Sequence, residues 1–268
     1  MLYKVFHQKY QKMFKITQKI ILEKVALMAV FFTFCAVSTS YAQVKPTVKT
    51  PAVTPAVTPT VTATVTPPVN ADEALLKLKQ GNERFVKGAS IRPRQDIDRI
   101  KEVAQGQKPF AIIVGCSDSR VPSEIIFDQG LGDLFIVRTA GQVSSYASWG
   151  SIEFANVVLE AKLILVMGHT QCGAVAAACK IPEVPGHIVT LINAIKPAAE
   201  VAKTMNGDLV ENAVKINVAM QVKQLQTLEP VLTKAIKNNT VKVVGAVYDL
   251  KTGKVEFLPD NYLETVKK

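Results

Sequence analysis

Cysteine is scarce in this sequence. The 268 residues hold four: Cys35, Cys116, Cys172 and Cys179. Cys35 falls in an N-terminal leader, and the three that remain are an odd number, which excludes a framework made purely of disulfides. A clustered basic stripe is also missing. The formal net charge is +10, but residues 1–42 carry six lysines against one glutamate; without them 26 basic and 21 acidic residues remain, a surplus of five spread along the chain. Nucleic-acid binding needs such a stripe, so the charge is that of a soluble basic surface. The most apolar stretch, residues 25–37 (VALMAVFFTFCAV), is 13 residues long, short of the roughly 20 that a membrane-spanning helix needs. What is present is 48% hydrophobic residues in separate apolar runs, the composition of a globular chain. Beyond the leader and a spacer, roughly 200 residues remain, enough for one domain with a full core.

Residues 1–42 combine Lys4, Lys9, Lys12, Lys15, Lys19 and Lys24 with that short apolar run and with Ser40-Tyr41-Ala42, which puts small residues at the −3 and −1 positions of a cut after Ala42. Basic region, short apolar core and small-residue site predict a secretory signal peptide, with Met13 an alternative start. The expected location is the periplasm or the exterior; the alternative is a membrane anchor formed by the uncleaved signal. Residues 43–70 are rich in Pro, Thr and Val with a ragged PxVT repeat. Proline removes backbone donors and favours extended chain, so this segment is expected to be a semi-stiff spacer. Residues 71–268 are then the folded domain.

Within it, Leu75, Leu76, Leu78, Phe85 and Val86 recur along one helical face of residues 71–86, with Asp72 and Glu73 in the first turn. Residues 96–104 read as a second short helix. The apolar runs FAIIVG (110–115), LFIV (134–137), LILVM (163–167) and VKVVGAV (241–247) read as buried strands, and residues 254–258 as a fifth. Helices are expected over 145–161, from about Cys172, over 188–203 with an interruption at Pro197, and over 209–237 as one long element. Strands alternating with helices predict an α/β fold with a mostly parallel sheet covered on both faces. In such sheets ligands bind beyond the carboxyl ends of strands.

Two motifs fall at those ends: Gly115-Cys116-Ser117-Asp118-Ser119-Arg120 after the first strand, and Gly168-His169-Thr170-Gln171-Cys172-Gly173 after the third. Two thiolates and an imidazole suit Zn²⁺, and three protein ligands leave a fourth position open, as in catalytic zinc sites. Each residue also has a plainer reading: a buried cysteine acting as a small hydrophobe, a histidine merely hydrogen-bonded, or Cys116 and Cys172 paired in an oxidising compartment. Asp118 and Arg120, two apart, suggest a carboxylate kept ionised by a guanidinium. Asp118 can orient a water on the metal, or itself fill the fourth metal position unless Arg120 restrains it; a structural salt bridge is the alternative. Cys179 lies in an Ala-rich helix and is expected in the core. His187 suits either proton transfer or helix capping.

CSDSRVPSEIIFDQGLGDLFIVRTAG, GSIEFA and GHTQCGAV, together with NVAMQVKQL and VYDLKTG, resemble the β-class carbonic anhydrases from about Leu75 to about Pro259. The resemblance implies four parallel strands plus a fifth edge strand, a homodimer or higher homo-oligomer, and one zinc on Cys116, His169 and Cys172 beside an Asp118–Arg120 dyad. It implies reversible hydration of CO₂ to bicarbonate and a proton, with hydroxide on the metal as nucleophile. Gln107, Phe135, Phe154 and Gly173 match positions that contact CO₂ or bicarbonate. Phe154 stands where one branch of the family carries Tyr, so the hydroxyl is missing here. Ile113 stands where another branch carries the Trp of a regulatory bicarbonate pocket, so that regulation is not expected. The rival functions are a hydrolase of CS₂ or COS on the same scaffold and a non-catalytic zinc-binding envelope protein.

Overall fold

Asn70 starts the first helix by capping it. Its side chain accepts from the backbone N–H groups of Asp72 and Glu73, and Glu73 reaches back to the Asn70 N–H at 3.2 Å, a reciprocal capping box. The computed structural model describes residues 70–180 and 183–266; the leader and nearly all of the spacer lie outside the described residues. Helix α1 spans Ala71–Val86, as the periodicity predicts. Helix α2 spans Ile97–Val103, with Asp96 as its cap.

Strands β1 (Ala111–Cys116), β2 (Leu134–Thr139), β3 (Leu163–His169), β4 (Lys242–Tyr248) and β5 (Val255–Phe257) form one sheet in the order β2-β1-β3-β4-β5. The first four run parallel, and β5 is antiparallel to β4. Every residue of β1 and β3 is buried, which is why these strands appear in the sequence as continuous apolar runs. The short helix α3 (Ser123–Ile126) and a 3-10 turn at Ala140–Gln142 follow β1 and β2. Helices α4 (Tyr146–Val157), α5 (Gly173–Lys180), α6 (Ile188–Ala202), α7 (Leu209–Gln226), α8 (Val231–Lys237) and α9 (Tyr262–Thr265) complete the described elements.

The strands' alternation divides the core in two. Ile112, Val114, Cys116, Ile164 and Val166 pack with α4 to α8, and Ala111, Ile113, Leu163, Leu165 and Met167 with α1 and α3. Cys179 packs against the first cluster, half-buried. At the end of β3 the alternation turns Gly168 toward α7. A Cβ there would lie 2.6 Å from Val218 Cγ2, so only glycine lets α7 come this close to the strand that carries His169.

Two helix expectations are corrected. α6 runs unbroken through Pro197. The proline is on the exposed side, as is Asn193, whose carbonyl loses its helical donor and stays open to water, while Ile192, Ile195, Ala198, Ala199 and Ala202 continue one buried face across it. The long element expected over 209–237 is two helices. α7 ends at Gln226, where Thr227 folds its hydroxyl back onto the Lys223 carbonyl, and Pro230 then caps α8. Proline has no N–H to give the preceding turn and disfavours helix in the residue before it.

Candidate metal centre

β1 and β3 are hydrogen-bonded neighbours, so the residues at their carboxyl ends meet. Cys116 closes β1, His169 closes β3, and Cys172 follows three residues later, just before α5. All three are buried, and one ligand atom from each lies within 4.8 Å of the others. The Nδ1 of His169 is 2.9 Å from the Thr170 carbonyl. A carbonyl accepts and cannot donate, so Nδ1 carries the proton and Nε2 presents a lone pair. That Nε2 is fully buried and has no hydrogen-bond partner among the described residues. A buried polar atom left unpartnered costs free energy. Here the atom faces two sulfurs, and a thiophilic divalent cation such as zinc satisfies all three groups together. The residues present fit such an ion.

The sulfurs are unequal. The hydrogen bond from the Cys172 thiol, aided by backbone N–H groups including that of Gly141, holds Cys116 well below the usual thiol range against the opposing effect of burial. The same shared proton, together with burial, pushes the Cys172 thiol up, although the backbone N–H groups of Ala174 and Val175 at the start of α5 oppose this. The pair therefore holds one thiolate readily, and binding a cation would release its second proton.

Asp118 stands beside the cluster. Its Oδ2 is 3.8 Å from His169 Nε2. Arg120 holds both carboxylate oxygens, Nε at 2.9 Å from Oδ1 and Nη2 at 2.7 Å from Oδ2, and its backbone N–H also reaches Oδ1 at 2.9 Å. This grip, chiefly the side-chain hydrogen bonds, holds Asp118 far below the ordinary carboxylate range. The residues expected at the metal thus converge.

The expected substrate residues are placed differently. Gln107 is exposed in the connection before β1, Gly173 is exposed at the start of α5, and Phe154 is 48% exposed on α4. Phe135 is half-buried near the start of β2, where it pairs with Ile112, whereas Cys116 pairs with Thr139. Four residues along a strand is about 13 Å, so within one chain Phe135 is well removed from Cys116. His187 is the residue before α6 and makes no side-chain cap.

Three further residues meet at the centre; Arg138 and Gly141 lie within the stretch CSDSRVPSEIIFDQGLGDLFIVRTAG and Asn217 opens NVAMQVKQL, but nothing in those stretches marks the contacts they make. Arg138, on β2, donates from Nε to the Cys116 carbonyl at 2.7 Å and from Nη2 to the Asp118 carbonyl at 2.5 Å. Gly141 donates its N–H to Cys116 Sγ at 3.3 Å. Asn217, on α7, donates to the Gly141 carbonyl at 3.0 Å. The one hint is an arginine following the apolar run LFIV within the strand.

Comparison with known proteins gives consistent matches. A family model described as carbonic anhydrase matches residues 111–255. The chain is 41% identical over 194 residues to a carbonic anhydrase of Mycolicibacterium smegmatis, covering 71% of this chain and 94% of the relative. It is 40% identical over 192 residues to carbonic anhydrase 2 of Mycobacterium tuberculosis, covering 70% and 93%. Among solved structures, a tetrameric β-carbonic anhydrase of Sordaria macrospora is 28% identical with a TM-score of 0.56, covering 59% of this chain and 85% of that one. A Coccomyxa β-carbonic anhydrase in complex with acetazolamide is 26% identical with a TM-score of 0.56, covering 67% and 83%.

Proposed function

The chain belongs to the β-class carbonic anhydrases, and from that premise we propose that it catalyses the reversible hydration of CO₂ to bicarbonate and a proton, with one zinc ion held by Cys116, His169 and Cys172. The observation that carries the reading is the meeting of two buried sulfurs with an imidazole whose tautomer is fixed and whose free nitrogen has no other partner. Zinc in such a set supplies the Lewis acidity that makes water a nucleophile near neutral pH.

The chain's own residues do the rest. Asp118 stays ionised and accepts a hydrogen bond from the reacting water, fixing its orientation toward CO₂. Arg120 keeps both carboxylate oxygens occupied, so that Asp118 orients water without displacing it. Arg138 holds the backbone of Cys116 and Asp118 in register across the strand end.

Gln107, Phe135 and Phe154 are assigned to the substrate pocket, with Gly173 at its rim. The distance of Phe135 from Cys116 of its own chain is reconciled if a second copy supplies it. β2 is an edge strand with a half-exposed face, and α4 beside it exposes Tyr146 (88%) and Val157 (61%) as well as Phe154, with Val158 (60%) exposed just after the helix. Apolar exposure of this kind beside an unpaired edge supports a homo-oligomer. The lysine-rich leader and its short apolar run support export to the periplasm or beyond. A stopped-flow assay of CO₂ hydration on the zinc-loaded chain tests the function. Rate enhancement that a chelator abolishes is expected, and a zinc-loaded chain no faster than buffer would overturn it.

A further inference from the structure

The turn after β2 sits in a conformation it does not adopt unaided. Gly141 has φ +68°, and a Cβ there would lie 2.6 Å from Ile195 Cδ1. Gln142 follows at φ +46°, with both polar atoms of its buried amide unpartnered among the described residues. Backbone in sparsely populated regions persists only where its surroundings over-determine it. The surroundings here are two amide side chains one turn apart on α7. Asn217, 1% exposed, donates to the Gly141 carbonyl. Gln221, 6% exposed, accepts from both the N–H and the hydroxyl of Ser144, a hydroxyl that also accepts from Trp149 Nε1. Thr139 closes the turn by donating its hydroxyl to the Val143 carbonyl.

Only the Asn217 contact bears on the metal ligands. The Gly141 carbonyl that it holds and the Gly141 N–H belong to the two peptide planes that meet at the Gly141 Cα. Gly141 is packed against Ile195 at φ +68° and ψ +21°, so holding its carbonyl plane constrains the direction of its N–H, the group given to Cys116 Sγ. We propose that Asn217 is a positioning residue of the metal centre: by holding the Gly141 carbonyl it aims a peptide N–H at the Cys116 sulfur and sets how much charge that sulfur donates to a bound ion. A thiolate relieved of charge by a hydrogen bond is a weaker donor, and groups of this kind beyond the ligands tune metal affinity and orientation. Gln221 grips the same connection without touching the peptide that faces the sulfur. The inference rests on the reading that Cys116, His169 and Cys172 hold the metal.

The test is the sulfur-to-metal charge-transfer band of the full chain loaded with cobalt(II), together with zinc affinity measured against a chromophoric chelator. Asn217→Leu keeps the volume and removes the donor. Loss of the aimed N–H leaves the Cys116 sulfur richer in charge, so the band moves to longer wavelength. The Cys116 sulfur also loses a contact that orients it, and zinc affinity falls about ten-fold. Gln221→Leu loosens the same loop and leaves the band in place. If Asn217→Leu does not fold, Asn217→Ala makes the same comparison with less crowding. A band unmoved in the Asn217 variant, or moved equally in the Gln221 variant, overturns the inference, since either outcome leaves Asn217 a purely structural clamp. A wild-type chain with no sulfur-to-cobalt band would overturn the metal reading and this inference with it, a result distinguishable because it appears before any substitution.

Discussion

Asp118 Oδ2 lies 3.8 Å from the free Nε2 of His169, while its nearest charged neighbour, Arg120 Nη2, holds the same oxygen at 2.7 Å. The carboxylate is therefore at the edge of the metal centre and tethered there. A carboxylate is itself a good zinc ligand, so under the proposed function the tether would decide whether Asp118 orients water or replaces it. Arg120→Ala is expected to keep its zinc and to lose about 10–100-fold in hydration activity, the usual scale for such supporting residues. Metal analysis and stopped-flow on the same preparation read both quantities. Because Arg120 is what holds Asp118 below the carboxylate range, Asp118 remains ionised throughout the working range. Wild-type activity in Arg120→Ala from about pH 6 to about pH 9, either side of the near-neutral pKa of zinc-activated water, would reduce the pair to a salt bridge.

The ligand assignment has its own check. Purified protein should carry about one zinc per chain, as a single three-ligand site demands. Cys172→Ser replaces a soft thiolate with a harder and weaker hydroxyl ligand, and most of the metal should be lost while the fold survives. Elemental analysis beside circular dichroism separates the two effects. Full zinc content in the serine variant would remove Cys172 from the ligand set.

The legible parts of this protein are those whose signal is burial or period. β1 and β3 appear in the sequence as apolar runs because both faces of the sheet are covered, and the bounds of α1 match the expectation, although Leu76 and Val86 turn to solvent and the buried face is Ala74, Leu78, Gly81 and Asn82. The sequence reading stops β3 at Met167, yet the strand continues through Gly168 and His169, which pair with Val247 and Tyr248; neither residue type signals a strand. α3 and the turn at Ala140–Gln142 span four and three residues, too short for any periodicity to register. Asn70 looks like the last residue of a polar spacer and is in fact a helix cap. Cys116, His169, Cys172, Asp118 and Arg120 stand out because their chemistry is in their side chains. Arg138, Gly141 and Asn217 act on or through backbone atoms, and a contact to a carbonyl leaves no pattern in the residue types it joins.

Export is testable without reference to activity. The proposed signal peptide rests on the lysine-rich start, the short apolar run and the small residues Ser40 and Ala42 at the −3 and −1 positions of the expected cut after Ala42. Mass spectrometry of the protein extracted from the cell envelope should find a new N-terminus near Gln43. A full-length chain recovered from the cytoplasm would exclude cleavage and export together.

A final prediction concerns stability and leaves the metal aside. Asp128 is 3% exposed and sits at φ +48° between α3 and β2. It accepts from Arg84 Nε at 2.6 Å and from the backbone N–H groups of Ile91 and Arg92 at 3.1 and 2.9 Å. It thus ties α1 and the segment after it to the loop following α3. Burial raises the carboxyl pKa, but the Arg84 side chain and the two backbone donors outweigh it, and the net shift is downward. A carboxyl with a depressed folded-state pKa contributes its full stabilisation above its unfolded value, near 3.9, and loses it as pH falls through the folded value. Asp128→Asn places an amide against three donors. Breaking a buried pair costs about 3–5 kcal/mol, and with the Arg84 side chain 31% exposed the lower end applies. At neutral pH the variant should therefore melt about 10 °C lower, given ~2–4 °C per kcal/mol for a domain of this size. As pH drops below about 4 the wild type loses this contribution while the variant has none to lose, so the two melting temperatures should converge. A gap absent at neutral pH, or one that stays constant under acidification, would show that Asp128 does not anchor the helix through its charge.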